Sequence, residues 1–130
     1  MEVSSRRFGD VVVAAPAGRI DHANADELTY ALAPTLNPTP TAGGALLLDF
    51  TGVDYISSVG LRVLMMTAKQ MRAQQRGIGI AALQPVVREI FEISRFNLIL
   101  DVFPTVRAGL EKMSAPALAA YDAAASAGAP

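Results

Sequence analysis

The chain has 130 residues, no cysteine and a formal net charge of −1, with both signs dispersed along it. One domain with a real core fits that length, whereas the missing thiols exclude disulfides, thiol catalysis and thiolate metal sites. No basic stripe offers itself to nucleic acid and no apolar run approaches the roughly 20 residues that cross a bilayer, so the expectation is a cytoplasmic protein-binding module without a cofactor or metal.

In chain order, Val3 to Phe8 reads as a short strand, and Gly9-Asp10 turns it into the β-branched run beginning at Val11. These two form an opening hairpin. Pro16 and Gly18 end the second strand, and Gly18-Arg19-Ile20-Asp21-His22 leads to a helix with Leu28, Leu32 and Leu36 on one face. Asn24 and Glu27 have the spacing of a capping box, which starts that helix near Asn24. Pro34 strains its last turn, and Asn37 to Gly44, with two prolines and two glycines, is a loop.

Leu46-Leu47-Leu48 lacks polar alternation, as suits a strand buried on both faces. A loop from Thr51 to Ser57 follows. Leu61, Leu64, Met65 and Ala68 then hold the one-face spacing of a helix from Ser58 to about Arg76, stopped by Gly77. Val59, Val63 and Met66 fall on its opposite side with Arg62 beside them, either against flanking helices or as a partner patch. Ile78 to Leu83 is another buried strand. Pro85 starts a third helix with Val86, Ile90 and Ile93 in helical spacing, Val87 and Phe91 beside them, and Asn97 as a left-handed cap. Leu98 to Phe103 is a last strand, and Pro104 starts a helix through Met113. The order ββαβαβαβα implies an α/β fold with about four helices and a mixed, largely parallel sheet opened by an antiparallel pair. Residues 3–113 form the domain, and the alanine-rich residues 114–130 read as a flexible tail with at most one loose helical stretch.

For chemistry the inventory is poor. His22, the one histidine, is a loop residue without an assembled nucleophile and base. Asp49, Asp54 and Asp101 near strand ends suit loop capping and solvation better than a metal, and Gly77-Ile78-Gly79 lacks the third glycine of a dinucleotide loop. The serines Ser57 and Ser58 stand out. At a helix entrance a serine oxygen can accept from first-turn N–H groups, and the same groups favour a phosphate.

The run Leu47-Leu48-Asp49-Phe50-Thr51-Gly52-Val53-Asp54-Tyr55-Ile56-Ser57-Ser58-Val59-Gly60-Leu61-Arg62-Val63-Leu64 resembles the signature of the STAS domain, the fold of bacterial anti-sigma factor antagonists. Gly18-Arg19-Ile20-Asp21 is similar to the family's other marker, and the order of elements agrees from about Val3 to Met113. The resemblance implies a partner-switch protein that is no enzyme. Its partner would be an anti-sigma factor that doubles as a serine kinase, with a serine phosphatase as a further candidate. Ser58 is the implied phosphorylation site, Ser57 the next candidate, and the implied partner surface comprises Asp21, Ser57, Ser58, Val59, Arg62 and Met66. Two departures bear on this. Ser57 stands where such proteins commonly have an acid, and Val59 where they have a serine or threonine. The alternative within the same fold is a STAS subunit of a membrane lipid-transport complex, docked on a transporter ATPase.

Overall fold

The computed structural model describes residues 1–37 and 44–127. Strands β1 (Val3–Phe8) and β2 (Val11–Pro16) form the expected antiparallel hairpin, and β4 (Ala45–Asp49), β6 (Ile78–Ala81) and β7 (Asp101–Phe103) extend the sheet in parallel, in the order β1-β2-β4-β6-β7. Helices α1 (Ala25–Leu36), α2 (Ser58–Ala73) and α3 (Pro85–Ile93) are the crossovers. Because successive parallel strands are added in one direction, right-handed crossovers must place all three helices on one face. Leu46 and Leu48 point into that layer, where they meet Leu28, Leu32, Leu64, Ala68, Met71, Val87 and Phe91; Leu47 faces the other way. A single apolar run thus serves two cores.

The second face needs its own cover, and among the described residues the chain after β7 provides it. Helix α4 (Val106–Met113) lies over β4, β6 and β7, and α5 (Ala115–Ala127) over β1. The expectation of a loose tail from residue 114 therefore needs correction as far as Ala127. Ala117 is fully buried beside Phe8, Val11 and Leu110, and the Tyr121 ring meets Phe8 edge-on with centroids 5.3 Å apart. Arg107 binds Asp122 through two bonds of 3.1 and 3.0 Å, and Ser114 Oγ bonds the Asp10 carboxylate at the hairpin turn. Alanine-rich sequence hides such a helix because small residues give no apolar stripe, yet they allow close approach. A Cβ on Gly9, already at φ +56°, would lie 3.1 Å from the Ala117 nitrogen.

Several other expectations shift. The Thr51–Ser57 loop contains a strand, β5 (Val53–Ile56), which pairs in parallel with the three-residue β3 (Gly18–Ile20) as a separate small sheet. Helix α2 is closed by the left-handed Gln75, at φ 57°, just beyond its end, with the Arg76 N–H returning to Met71 O, so Gly77 is not its stop. After α3 the left-handed residue is Arg95, and Asn97 lies inside a 3-10 turn, Phe96–Leu98. The buried face of α3 is Val87 and Phe91, while Val86 and Ile93 are 53% and 75% exposed. Thr105 caps α4 through a bond from Ala108 N, one residue beyond the expected start. Helix α1 continues through Pro34 to Leu36, and the loop expected from Asn37 to Gly44 falls mostly outside the described residues.

Removing α5 by truncation at Ser114 should uncover Phe8 and Val11 and cost about 2–4 kcal/mol, from one or two large apolar side chains returned to water. Thermal unfolding of the truncated chain is expected to show a midpoint lower by roughly 10 °C.

Candidate functional site

The small sheet places the two marker segments side by side. Gly18 N donates to Gly52 O at 2.8 Å where β3 and β5 begin, and Ser57 N donates to Ile20 O at 2.9 Å where they end. Ile20 and Ile56 turn inward and are buried. The loop after Ile20 and the entrance of α2 therefore leave the sheet together. How close α2 can come is set at Gly60, where a Cβ would lie 2.7 Å from carbon atoms of both Ile20 and Ile56. That contact is closer than any side chain permits, which accounts for the glycine two residues after Ser58.

At the entrance the two serines divide the work. Ser57, in extended conformation at φ −87° and ψ 173°, is the N-cap, and its Oγ accepts from Gly60 N at 3.3 Å. Ser58 is the first helical residue and is exposed. The cap role open to either hydroxyl in the sequence thus belongs to Ser57, and the Ser58 hydroxyl has no partner among the described residues. The first turn carries no acid, and its unpaired N–H groups give the site partial positive charge.

The Asp21 loop is held by its own polar side chains. Asp21 Oδ1 accepts from Ala23 N at 2.9 Å and Oδ2 from Arg19 Nε at 2.9 Å. Asn24 does not form the expected capping box. Its Oδ1 accepts from Asp21 N at 2.9 Å and its Nδ2 donates to Arg19 O at 2.5 Å, so the amide braces the loop from within. The Ala23 N–H is the chief reason that the Asp21 carboxyl sits below the ordinary carboxylate range; partial desolvation opposes it and Arg19 adds to it. His22 is exposed.

Val59, Arg62 and Met66 lie along α2 and, with Val63, line a shallow groove whose other wall is α1 at Ala25, Asp26 and Thr29. Val63 is half-buried against the core, whereas Val59 and Met66 are 42% and 61% exposed. The groove has braced walls. Gln74 Nε2 bonds Leu36 O at 2.7 Å and Arg76 Nη1 bonds Thr35 O at 2.7 Å, so residues after α2 hold the last carbonyls of α1. Asp49 caps its loop as expected, accepting from Thr51 N at 3.0 Å and Thr51 Oγ1 at 2.6 Å. Asp54 and Asp101 are exposed. No group of three metal-ligating side chains occurs among the described residues, and no helix among them is long and apolar enough to cross a membrane. Sequence reasoning named Arg19 but gave it no role, and it missed Tyr55, whose ring lies under the Arg19 guanidinium at 4.0 Å.

A model of the STAS domain family matches residues 2–109. The chain belongs to the STAS domain family. A Bordetella bronchiseptica protein named as an anti-sigma factor antagonist, BtrV, is 36% identical over 104 residues, which cover 80% of this chain and 84% of that protein. Among solved structures, an anti-sigma factor antagonist from Mycobacterium paratuberculosis superposes with a TM-score of 0.76 at 25% identity, covering 86% of this chain and 92% of that one. SpoIIAA has the same fold in its unphosphorylated form, with a TM-score of 0.70 at 14% identity over 85% and 95% of the two chains. The phosphorylated form, from Bacillus, gives 0.64 at 13% over 85% and 98%. The match to the family stops at residue 109, before α5.

Two measurements check the site's local chemistry. Ser57→Ala is expected to cost about 1 kcal/mol of folding stability through the lost cap, whereas Ser58→Ala stays within about 0.5 kcal/mol of wild type in denaturant unfolding. An NMR titration should place the Asp21 midpoint below the ordinary carboxylate value, and Arg19→Gln should leave most of the lowering in place because the Ala23 N–H remains. The sign follows from linkage. The ionised loop adds stability above the unfolded carboxylate range, and that contribution is lost as pH falls through the lower folded value.

Proposed function

We propose that this STAS protein is an anti-sigma factor antagonist that binds an anti-sigma factor of the serine-kinase type and is released when Ser58 is phosphorylated. The observation that carries the reading is the division of labour at the α2 entrance. Ser57 is held as the cap while the next hydroxyl, Ser58, is exposed at the first helical position. Support for the partner class comes from the names of the relatives, and support for the modification from SpoIIAA, a protein of the same fold with a phosphorylated form.

A phosphate on Ser58 would add about −1.5 to −2 charge at neutral pH. The domain can accept it, because a helix N-terminus favours an anion and no acid in the first turn repels it. A partner packed over the same residue would have to bury a hydrated dianion, at a cost of several kcal/mol when unpaired. About 4 kcal/mol weakens binding roughly a thousandfold. Exclusion of charge is thus enough to break the contact, with no rearrangement of the fold. The partner surface in this reading is Asp21, Ser57, Ser58, Val59, Arg62 and Met66, and the protein binds without doing chemistry of its own. A serine phosphatase would return it to the binding state.

The test combines phosphate incorporation with calorimetry, using the purified anti-sigma factor kinase. Wild type and Ser57→Ala should incorporate phosphate, Ser58→Ala should not, and the phosphorylated protein should bind at least a hundredfold more weakly than the unmodified one. Equal binding of the two forms, or phosphate retained in Ser58→Ala and lost in Ser57→Ala, refutes the switch. Tight binding to a transporter ATPase with no response to phosphorylation would favour the lipid-transport reading instead.

A further inference from the structure

Two arginines, Arg62 on α2 and Arg19 on β3, belong to the segments that meet at the α2 entrance, in a chain whose formal charge is −1. Helix α2 begins with no acid in its first turn, and Arg62 is exposed one turn in, with no ion pair among the described residues. Arg19 belongs to β3, whose end is joined to the start of α2 by the bond from Ser57 N to Ile20 O. It lies opposite Tyr55 in the β3–β5 register, its guanidinium carbon 4.0 Å from the ring centroid, and its Nε donates to Asp21. Stacking and hydrogen bond together fix the side chain before any partner arrives. Yet that side chain is 60% exposed. Among the described residues the four N–H groups on its two terminal nitrogens have no acceptor. Asp21 already pairs with the guanidinium, but through Nε alone, its other oxygen being held by Ala23 N; Asp26 lies on the far wall of the groove and Asp54 is exposed on β5, so among the described residues the terminal nitrogens remain open to a second carboxylate.

We propose that Arg19 is a preorganised receptor for a carboxylate side chain on the partner surface that covers the α2 entrance, so that an acidic residue at that place is part of what the protein selects. The inference rests on the partner-binding reading of the site. A planar guanidinium offers two parallel donors to a carboxylate, a geometry that an ammonium cannot reproduce. Holding it on Tyr55 removes the ordering cost that usually reduces the value of a long exposed side chain at an interface. Phosphorylation of Ser58 would then act twice. It excludes the partner by bulk and charge, and its negative charge repels the acidic residue that Arg19 selects.

The experiment uses unphosphorylated full-length protein and the purified anti-sigma factor kinase, with affinity measured by calorimetry at several salt concentrations. Arg19→Gln is expected to raise Kd about ten- to a hundredfold, as loss of a central arginine anchor does, with the thermal midpoint of the free protein unchanged and a smaller dependence of Kd on salt. Arg19→Lys should keep the salt dependence but recover little affinity. Tyr55→Leu, which removes the stack, should weaken binding about threefold to tenfold, and Tyr55→Phe should not. Equal Kd and equal salt dependence for wild type and Arg19→Gln overturn the receptor while leaving the antagonist reading intact. An affinity loss that merely tracks a lower thermal midpoint overturns it too, by making Arg19 structural. Failure of the wild-type protein to bind the kinase overturns the functional reading, and this one with it.

Discussion

The entrance of α2 depends on one missing side chain. Gly60 lets the helix press on Ile20 and Ile56, and those two residues are the inward halves of β3 and β5. Their pairing is too short to be stable alone, so the helix and the small sheet hold each other. From this contact the rest of the site follows. It aligns the Asp21 loop with Ser57, places Arg19 over Tyr55, and leaves Ser58 outermost. A larger residue at position 60 would lift the helix and disperse all of these groups at once, even though its side chain would meet only Ile20 and Ile56.

At its other end, α2 is tied to α1. The side chains of Gln74 and Arg76 bind the last carbonyls of α1, and Arg76 Nε also reaches Gly44 O at 2.5 Å. Burial of the Arg76 guanidinium lowers its pKa from the ordinary arginine value, but the carbonyl oxygens around it satisfy its donors. A helix end whose carbonyls are bound by a neighbour's side chains does not fray independently. The groove that holds Val59, Arg62 and Met66 therefore has walls of fixed separation.

Much of this was legible from sequence where a residue has to satisfy one local rule. The apolar run at Leu46 to Leu48, the glycine turn at Gly9, and the two marker segments with their serines and acid led directly to the family and to the sheet. What escaped were features that only tertiary contact decides. Strands of three and four residues, Gly18–Ile20 and Val53–Ile56, carry no usable periodicity and exist because they pair with each other. In α3 two apolar stripes lie one residue apart, and packing against β5 and the 3-10 turn buries Val87 and Phe91 rather than Val86 and Ile93. Composition suggested a tail after Met113, yet the rule that sent α1, α2 and α3 to one face already required cover on the other. Arg19 was noticed as part of a motif, but its stacking partner lies on a different strand and no spacing rule connects them.

Strand β4 places apolar side chains on both faces, and this affects how the chain finds its register. In a strand with one wet face, a slip of one residue is prohibited because it drives polar groups into the core. Leu46, Leu47 and Leu48 could slip without that penalty, each leucine simply changing cores. Alignment must come from the ends of the strand. Ala45 N bonds Asp10 O and Phe50 N bonds Ala81 O, while Asp49, bound to Thr51, marks the point beyond which a charge cannot be drawn inward. The turns at either end of this strand are thus its ruler, and its greasy middle is interchangeable.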